Sequence, residues 1–171
     1  MLAEPACAPS DRMAVAGRTS PYDSTVVAVG QGVAKVCYGR PSLKGRTMIG
    51  GEAVPYDTLW RTGANEPTIL HLNVSAEIAG LAVAPGDYSL YTVPRRGDRW
   101  TLIVNRSTSH WGHESNYTAE IRAQEVGRAE VAAEEIAEPV EQLTVRPMES
   151  GEPGVILEWQ NTRVRIPIEP T

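Results

Sequence analysis

Residues 84–105, APGDYSLYTVPRRGDRWTLIVN, decide the fold class. Ala84-Pro85-Gly86-Asp87 and Arg95-Arg96-Gly97-Asp98 are both turn chemistry, with Gly and Pro setting backbone angles that other residues resist. Between and after them, Tyr88–Pro94 and Trp100–Asn105 are short runs of β-branched and aromatic residues, so the stretch reads as a β-hairpin. Working outward, Ser24–Val29 and Val33–Tyr38 flank Gly30-Gln31-Gly32 as another hairpin. Thr68–Val74 alternates, with Leu70, Leu72 and Val74 on one face and Ile69, His71 and Asn73 on the other. Leu143–Arg146, Val155–Gln160 and Arg163–Ile168 close the chain as strands, with turns expected at Glu152-Pro153-Gly154 and Asn161-Thr162. Ala119–Gln124 suggests a helical turn and Gly127–Ala133 a strand. About nine or ten short strands with frequent turns predict an all-β fold, a single-domain antiparallel β-sandwich of jelly-roll type.

Composition agrees. The chain has 171 residues, 15 Gly, 13 Pro, no Phe and a net charge of −5. That length is enough to bury a core without staples. No apolar run reaches the roughly 18 residues of a membrane-spanning helix. The acidic balance and scattered arginines argue against nucleic acid as a partner. Phosphate-binding Gly loops and a G-x-S-x-G elbow are lacking. Residues 1–20 are rich in Ala, Pro and Ser without periodicity and read as a flexible tail, leaving 21–171 as the folded domain. They have neither the basic start nor the apolar core of a signal peptide. Cys7 is a weak match to a lipid-anchoring cysteine, and a Cys7–Cys37 disulfide is an option in an oxidising compartment.

Residues 106–118, RSTSHWGHESNYT, are polar and aperiodic, and a loop of that length in a compact domain tends to carry function. It holds two of the three histidines, His110 and His113, separated by Trp111-Gly112. With His71 from a strand, and Cys37 as a fourth candidate, they form a potential ligand set for copper first and zinc second. That set would suit a small oxidase or a metal carrier. A separate constellation, Arg61, Asn65 and Glu66 around Gly63, offers either an anion-recognition set or, more economically, a corner network with Arg61 paired to Glu66 or another acid. Tyr91, Trp111 and Tyr117 are candidate contacts for a glycan or protein, while Trp100 and Trp159 belong in the core. The expected ligand is thus a metal ion or a small molecule. The alternative is a non-enzymatic binding module of the cell envelope.

Several runs in order then resemble one bacterial family. They include Ser20-Pro21, Tyr38-Gly39-Arg40-Pro41, Lys44-Gly45-Arg46, Val54-Pro55-Tyr56 and the specific Trp60-Arg61-Thr62-Gly63-Ala64-Asn65-Glu66. Pro85-Gly86-Asp87-Tyr88-Ser89-Leu90-Tyr91-Thr92, Trp111-Gly112, Glu138-Pro139-Val140-Glu141 and Leu157-Glu158-Trp159 continue the match. From about Ser20 to Ile168 the chain is similar to the domain of unknown function 2911 family. Its members are typically exported, so the resemblance implies a periplasmic or secreted location. It carries over no catalytic residue. The Trp111-Gly112 pair fits the family pattern, but the histidines flanking it and His71 do not, which makes any histidine site a property of this protein or a subgroup.

Overall fold

The computed structural model describes residues 3–171, so the first two residues of the 1–20 tail lie outside the described residues. The described residues form strands β1 (Tyr22–Val29), β2 (Gly32–Gly39), β3 (Thr68–Leu72), β4 (Ala76–Ile78), β5 (Leu81–Val83), β6 (Gly86–Val93), β7 (Arg99–Asn105), β8 (Glu125–Pro147) and β9 (Gly154–Pro170), with one short helix, α1 (Ala119–Arg122). The strands join antiparallel in the order β1-β2-β3-β6-β7-β8-β9-β4-β5. The fold is all-β and sandwich-like, as expected. The 84–105 hairpin is β6–β7, paired from Ser89↔Asn105 to Val93↔Thr101.

The layers are made by bending one sheet. Residues of β8 up to Ala132 pair with β7, and from Ala133 onward β8 pairs with β9 instead. A single long strand therefore turns the corner between layers, helped by register shifts at Glu135/Val140 and Val140/Thr144. Such bulges bend a strand and add twist. Opposite them, Asn161-Thr162 makes no turn. Gln160 takes a left-handed φ of 56° and the chain continues as β9, so the two closing strands expected there are one. The Gln160 amide is pinned by Met48 N–H (2.9 Å) and Ile49 N–H (3.0 Å), which stabilises the conformation. The short β4–β5 hairpin, turning at Ala79-Gly80, is an addition to the expected strands; three-residue strands give too little periodicity to read.

Between the layers lies an aliphatic core with three tryptophans. Trp60 stacks on Trp159 (centroids 5.8 Å apart) and meets Trp100 edge-on at 6.2 Å. Trp60 comes from a loop, and is fixed by paired backbone hydrogen bonds with Thr92 at 2.8 and 3.0 Å. The other face of the β2-β3-β6-β7 sheet carries a second set of side chains. Register aligns Cys37, Ile69, Ser89 and Asn105 in one row and Lys35, His71 and Asp87 in another. All five residues of β3 are buried, so this face is also covered.

Candidate functional site

Two segments without strands cover that outer face. Over β2 and β3 lies the N-terminal segment, tied down by a Cys7–Cys37 disulfide. Asn73 donates to the Ala3 carbonyl (2.8 Å), and Lys35 pairs with Glu4 at 2.7 Å. Its main anchor is ionic. The Arg18 guanidinium grips both oxygens of Glu66 (2.7 and 3.0 Å), and the Ser10 N–H donates to the same carboxylate. The two side chains are 1% and 6% exposed. Arg18 also donates to the Met13 and Ala14 carbonyls, so a buried fork of donors is almost fully used.

Over β6 and β7 lies the 106–124 loop. His110 is its pivot: Nδ1 is 2.7 Å from Ser107 Oγ, and Nε2 is 2.8 Å from the Tyr91 hydroxyl. Burial lowers the His110 pKa from its ordinary value, which keeps the ring neutral. Tyr91 is fully buried, and burial, with Glu114 and Tyr117 nearby, raises its pKa. Tyr117 packs on it with ring centroids 4.7 Å apart. The Tyr117 hydroxyl donates to Glu125, accepts from Asn105 at 3.0 Å, and is pushed up by burial and by that carboxylate. Burial alone would raise Glu125, but the Arg128 fork and the Tyr117 hydroxyl outweigh it and hold the carboxyl below its usual range.

The 60–66 motif joins the two coverings. Glu66 anchors the N-terminal segment, and Arg61 anchors the loop, its N–H and guanidinium both reaching Glu114 (2.8 and 3.3 Å). Arg61 is therefore paired to an acid, but the acid is Glu114 and not Glu66. Thr62 and Asn65 sit at φ 62° and 66°, a region asparagine tolerates but one that is costly for the β-branched Thr62. Thr62 is held there by hydrogen bonds to the Trp60 carbonyl (3.1 Å) and the Thr92 hydroxyl (2.9 Å). Gly112 explains the Trp-Gly pair. Its N–H donates to the Asn65 carbonyl at 3.1 Å, and a Cβ there would lie 2.3 Å from that oxygen. Only glycine permits so close an approach.

The expected metal ligands are not brought together. His71 is buried beneath the N-terminal segment with Nδ1 2.7 Å from Asp87 and, among the described residues, no partner for Nε2. His110 has both ring nitrogens engaged, as above. His113 is exposed and turns its Nδ1 to Ser115, capping a 3-10 turn at Glu114–Asn116. Cys37 is joined to Cys7, so its sulfur is not a thiolate ligand. Among the described residues no group of three His, Cys, Asp or Glu side chains is placed to hold an ion. Tyr91 is likewise no contact residue, because the loop folds back over it. Trp111 is half-buried with the Arg12 guanidinium 4.7 Å above its ring.

A cleft does open beside Tyr117, where the loop leaves the sheet. Its volume is about 530 Å³, Leu59, Val93 and Tyr117 supply its apolar surface, and Arg95, Arg122 and Arg128 stand around it together with the Asp57 carboxylate. Sequence reading missed it because these arginines come from a β-turn, a helix end and a strand. Arg95 is held by Asp57 (2.9 Å) and Arg128 by Glu125, while Arg122 has no side-chain partner among the described residues.

Among known proteins, the family model for a protein of unknown function, DUF2911, matches residues 20–168. No curated protein and no solved structure matches the chain. The matched span begins two residues after Arg18 and contains the 60–66 motif, the 106–124 loop it anchors and most of β9, and the chain belongs to the DUF2911 family.

Proposed function

We propose that the protein is an exported, non-enzymatic binding module that takes a small anionic ligand with an apolar body. The observation that carries this reading is the cleft beside Tyr117: three arginines around the apolar surface of Leu59, Val93 and Tyr117, in a chain of net charge −5. Ligand sites are commonly clefts of this size with apolar walls and a few placed polar groups, and this one is about evenly polar and apolar. Arginine offers a planar donor fork suited to carboxylate, sulfate or phosphate. Export is supported by the Cys7–Cys37 disulfide, a bond that persists in oxidising compartments. The proton-transferring groups nearby are occupied with one another, which favours binding over catalysis. Copper or zinc binding through His71, His110, His113 and Cys37 draws no support from their separate placements.

The test is a thermal-shift screen of small carboxylates, sulfates and phosphates, with Arg122→Glu as the control variant. A true ligand at ten times its Kd adds about 1.4 kcal/mol, which raises Tm by roughly 3–6 °C in a domain of this size. The shift should vanish in Arg122→Glu. No shift with any anion would overturn the reading. Stoichiometric copper or zinc lost in a His110→Ala/His113→Ala variant would restore the metal one.

A further inference from the structure

Arg95 walls two clefts at once. On one side is the arginine-lined cleft beside Tyr117; on the other is a cleft of about 460 Å³ between the β6–β7 turn and the bend of the β8–β9 hairpin. Its guanidinium is fixed by Asp57 at 2.9 Å, and its Nε reaches Thr101 at 3.3 Å, so the shared wall is held from both ends. The second cleft has a different chemistry. Arg96 stacks over the Tyr56 ring at 4.7 Å on one side, and Glu134, Glu135, Asn161 and Thr162 face it from the other. Glu134 is taken up by Arg163 and Arg165. Asn161 spends its amide protons on the Ile136 and Ala137 carbonyls, which leaves its Oδ1 as an acceptor. Glu135 and the Thr162 hydroxyl have no side-chain partner among the described residues.

The Glu135 carboxylate, the Asn161 amide oxygen and the Thr162 hydroxyl accept hydrogen bonds from neutral hydroxyls, and Glu135 offsets Arg96, which has no acidic partner among the described residues, so the cleft carries little net charge. One cleft therefore wants an anion and its neighbour wants a neutral, hydroxyl-rich group, with Arg95 between them. Resting on the anionic-ligand reading above, we infer that the ligand is an acidic glycan. Its carboxylate-bearing sugar occupies the Arg95–Arg122–Arg128 cleft, and an adjoining neutral sugar lies against Glu135, Asn161 and Thr162. Nucleic acid and polyphosphate, with a charge on every unit, fit the first cleft and not the second.

The experiment uses the whole chain and four probes: glucuronic acid, a tetrasaccharide alternating glucuronate with N-acetylglucosamine, its carboxyl-reduced form, and polyphosphate of matching charge. Binding is followed by calorimetry and by amide chemical shifts. Glucuronic acid should shift amides around Arg122 and lose that effect in Arg122→Glu. The tetrasaccharide should bind at least about tenfold tighter, since the second contact becomes intramolecular. Glu135→Ala combined with Thr162→Ala should remove that gain while leaving glucuronic acid binding unchanged; Glu135 is exposed and Thr162 half-buried, and an unaltered Tm verifies folding. The carboxyl-reduced form should not bind. A tetrasaccharide no tighter than glucuronic acid, a gain that survives the double variant, or preferred binding of polyphosphate would each overturn the inference. Those results leave the anion site standing if any small anion still gives the Arg122-dependent shift. If none does, the underlying reading has failed instead.

Discussion

The N-terminal segment and the 106–124 loop cover adjacent halves of one sheet face, yet they are held by different means. The first is closed by a covalent bond and a buried, bidentate ion pair, Arg18–Glu66. The second has only the half-buried Arg61–Glu114 pair as its ionic tie and otherwise relies on softer contacts: the Ser107–His110–Tyr91 chain, the Tyr91–Tyr117 contact and the Asn105 amide. A cleft of about 520 Å³ lies along the strongly tied half between residues 13–20 and Asn65, but its arginine, Arg18, is taken up by Glu66; the cleft with three arginines opens at the edge of the weakly tied half. A binding site needs an opening and some freedom at its rim, and elements held by fewer strong contacts supply both. The 60–66 motif sits at the junction and serves each half with a different residue.

Removing one partner of the ion pair should break the comparison most severely. Glu66→Ala strands a buried guanidinium, a change that costs about 3–5 kcal/mol. Chemical denaturation should record that loss, and hydrogen exchange should show protection falling over residues 3–20 while the 106–124 loop keeps its own. Equal loss over both segments would mean that they are one cooperative unit.

Next in size is the disulfide. Cys7→Ser with Cys37→Ser opens a loop with a sequence separation of 30, worth about 3–4 kcal/mol if chain entropy dominates. The ion pair should still hold the segment to Glu66, so ligand binding at the Tyr117 cleft stays unchanged while the unfolding midpoint drops. A change in ligand affinity would show that the strongly tied half supports the weakly tied one.

The smallest effect is with pH, and it sharpens the contrast. His110 has a lowered pKa, so the unfolded chain takes up that proton at a higher pH than the folded one. Stability attributable to His110 is therefore intact above its unfolded value near pH 6.5 and is lost as pH falls through the lower folded value. A mild-acid loss of protection should appear in the loop first and be absent in His110→Gln. At the alkaline end Tyr22, beside Arg18 beneath the N-terminal segment, is raised to about 12 by burial and by Glu66. The unfolded chain ionises first, so stability is complete below about pH 10 and declines as pH rises through that range. Tyr91 and Tyr117 are raised as well, so alkali should loosen both halves where acid loosens one.

The loop at 106–118 was legible as a special segment, and Arg61 and Glu66 as parts of a corner network. Their partners were not. Glu114 and Arg18 lie 53 and 48 residues away from them, and nothing in local spacing selects those acids and bases from the rest. The histidines misled for a related reason. With two residues between them in a loop, His110 and His113 look like a pair, but one ring turns inward to Tyr91 and the other outward to Ser115.

By itself the sequence determined the all-β class, both early hairpins, the core role of Trp100 and Trp159, and the family. Each rests on side-chain alternation, turn residues or contiguous motifs, which are properties of neighbours in the chain. Only the tertiary structure decided that β8 bends from one layer to the other, that the N-terminal segment covers half of a sheet face, and that Arg95, Arg122 and Arg128 meet around one cleft. Those outcomes depend on register and on contacts between distant residues. Strand pairing settles them by placing every second side chain on a given face, and no local pattern specifies which distant strand will be the partner.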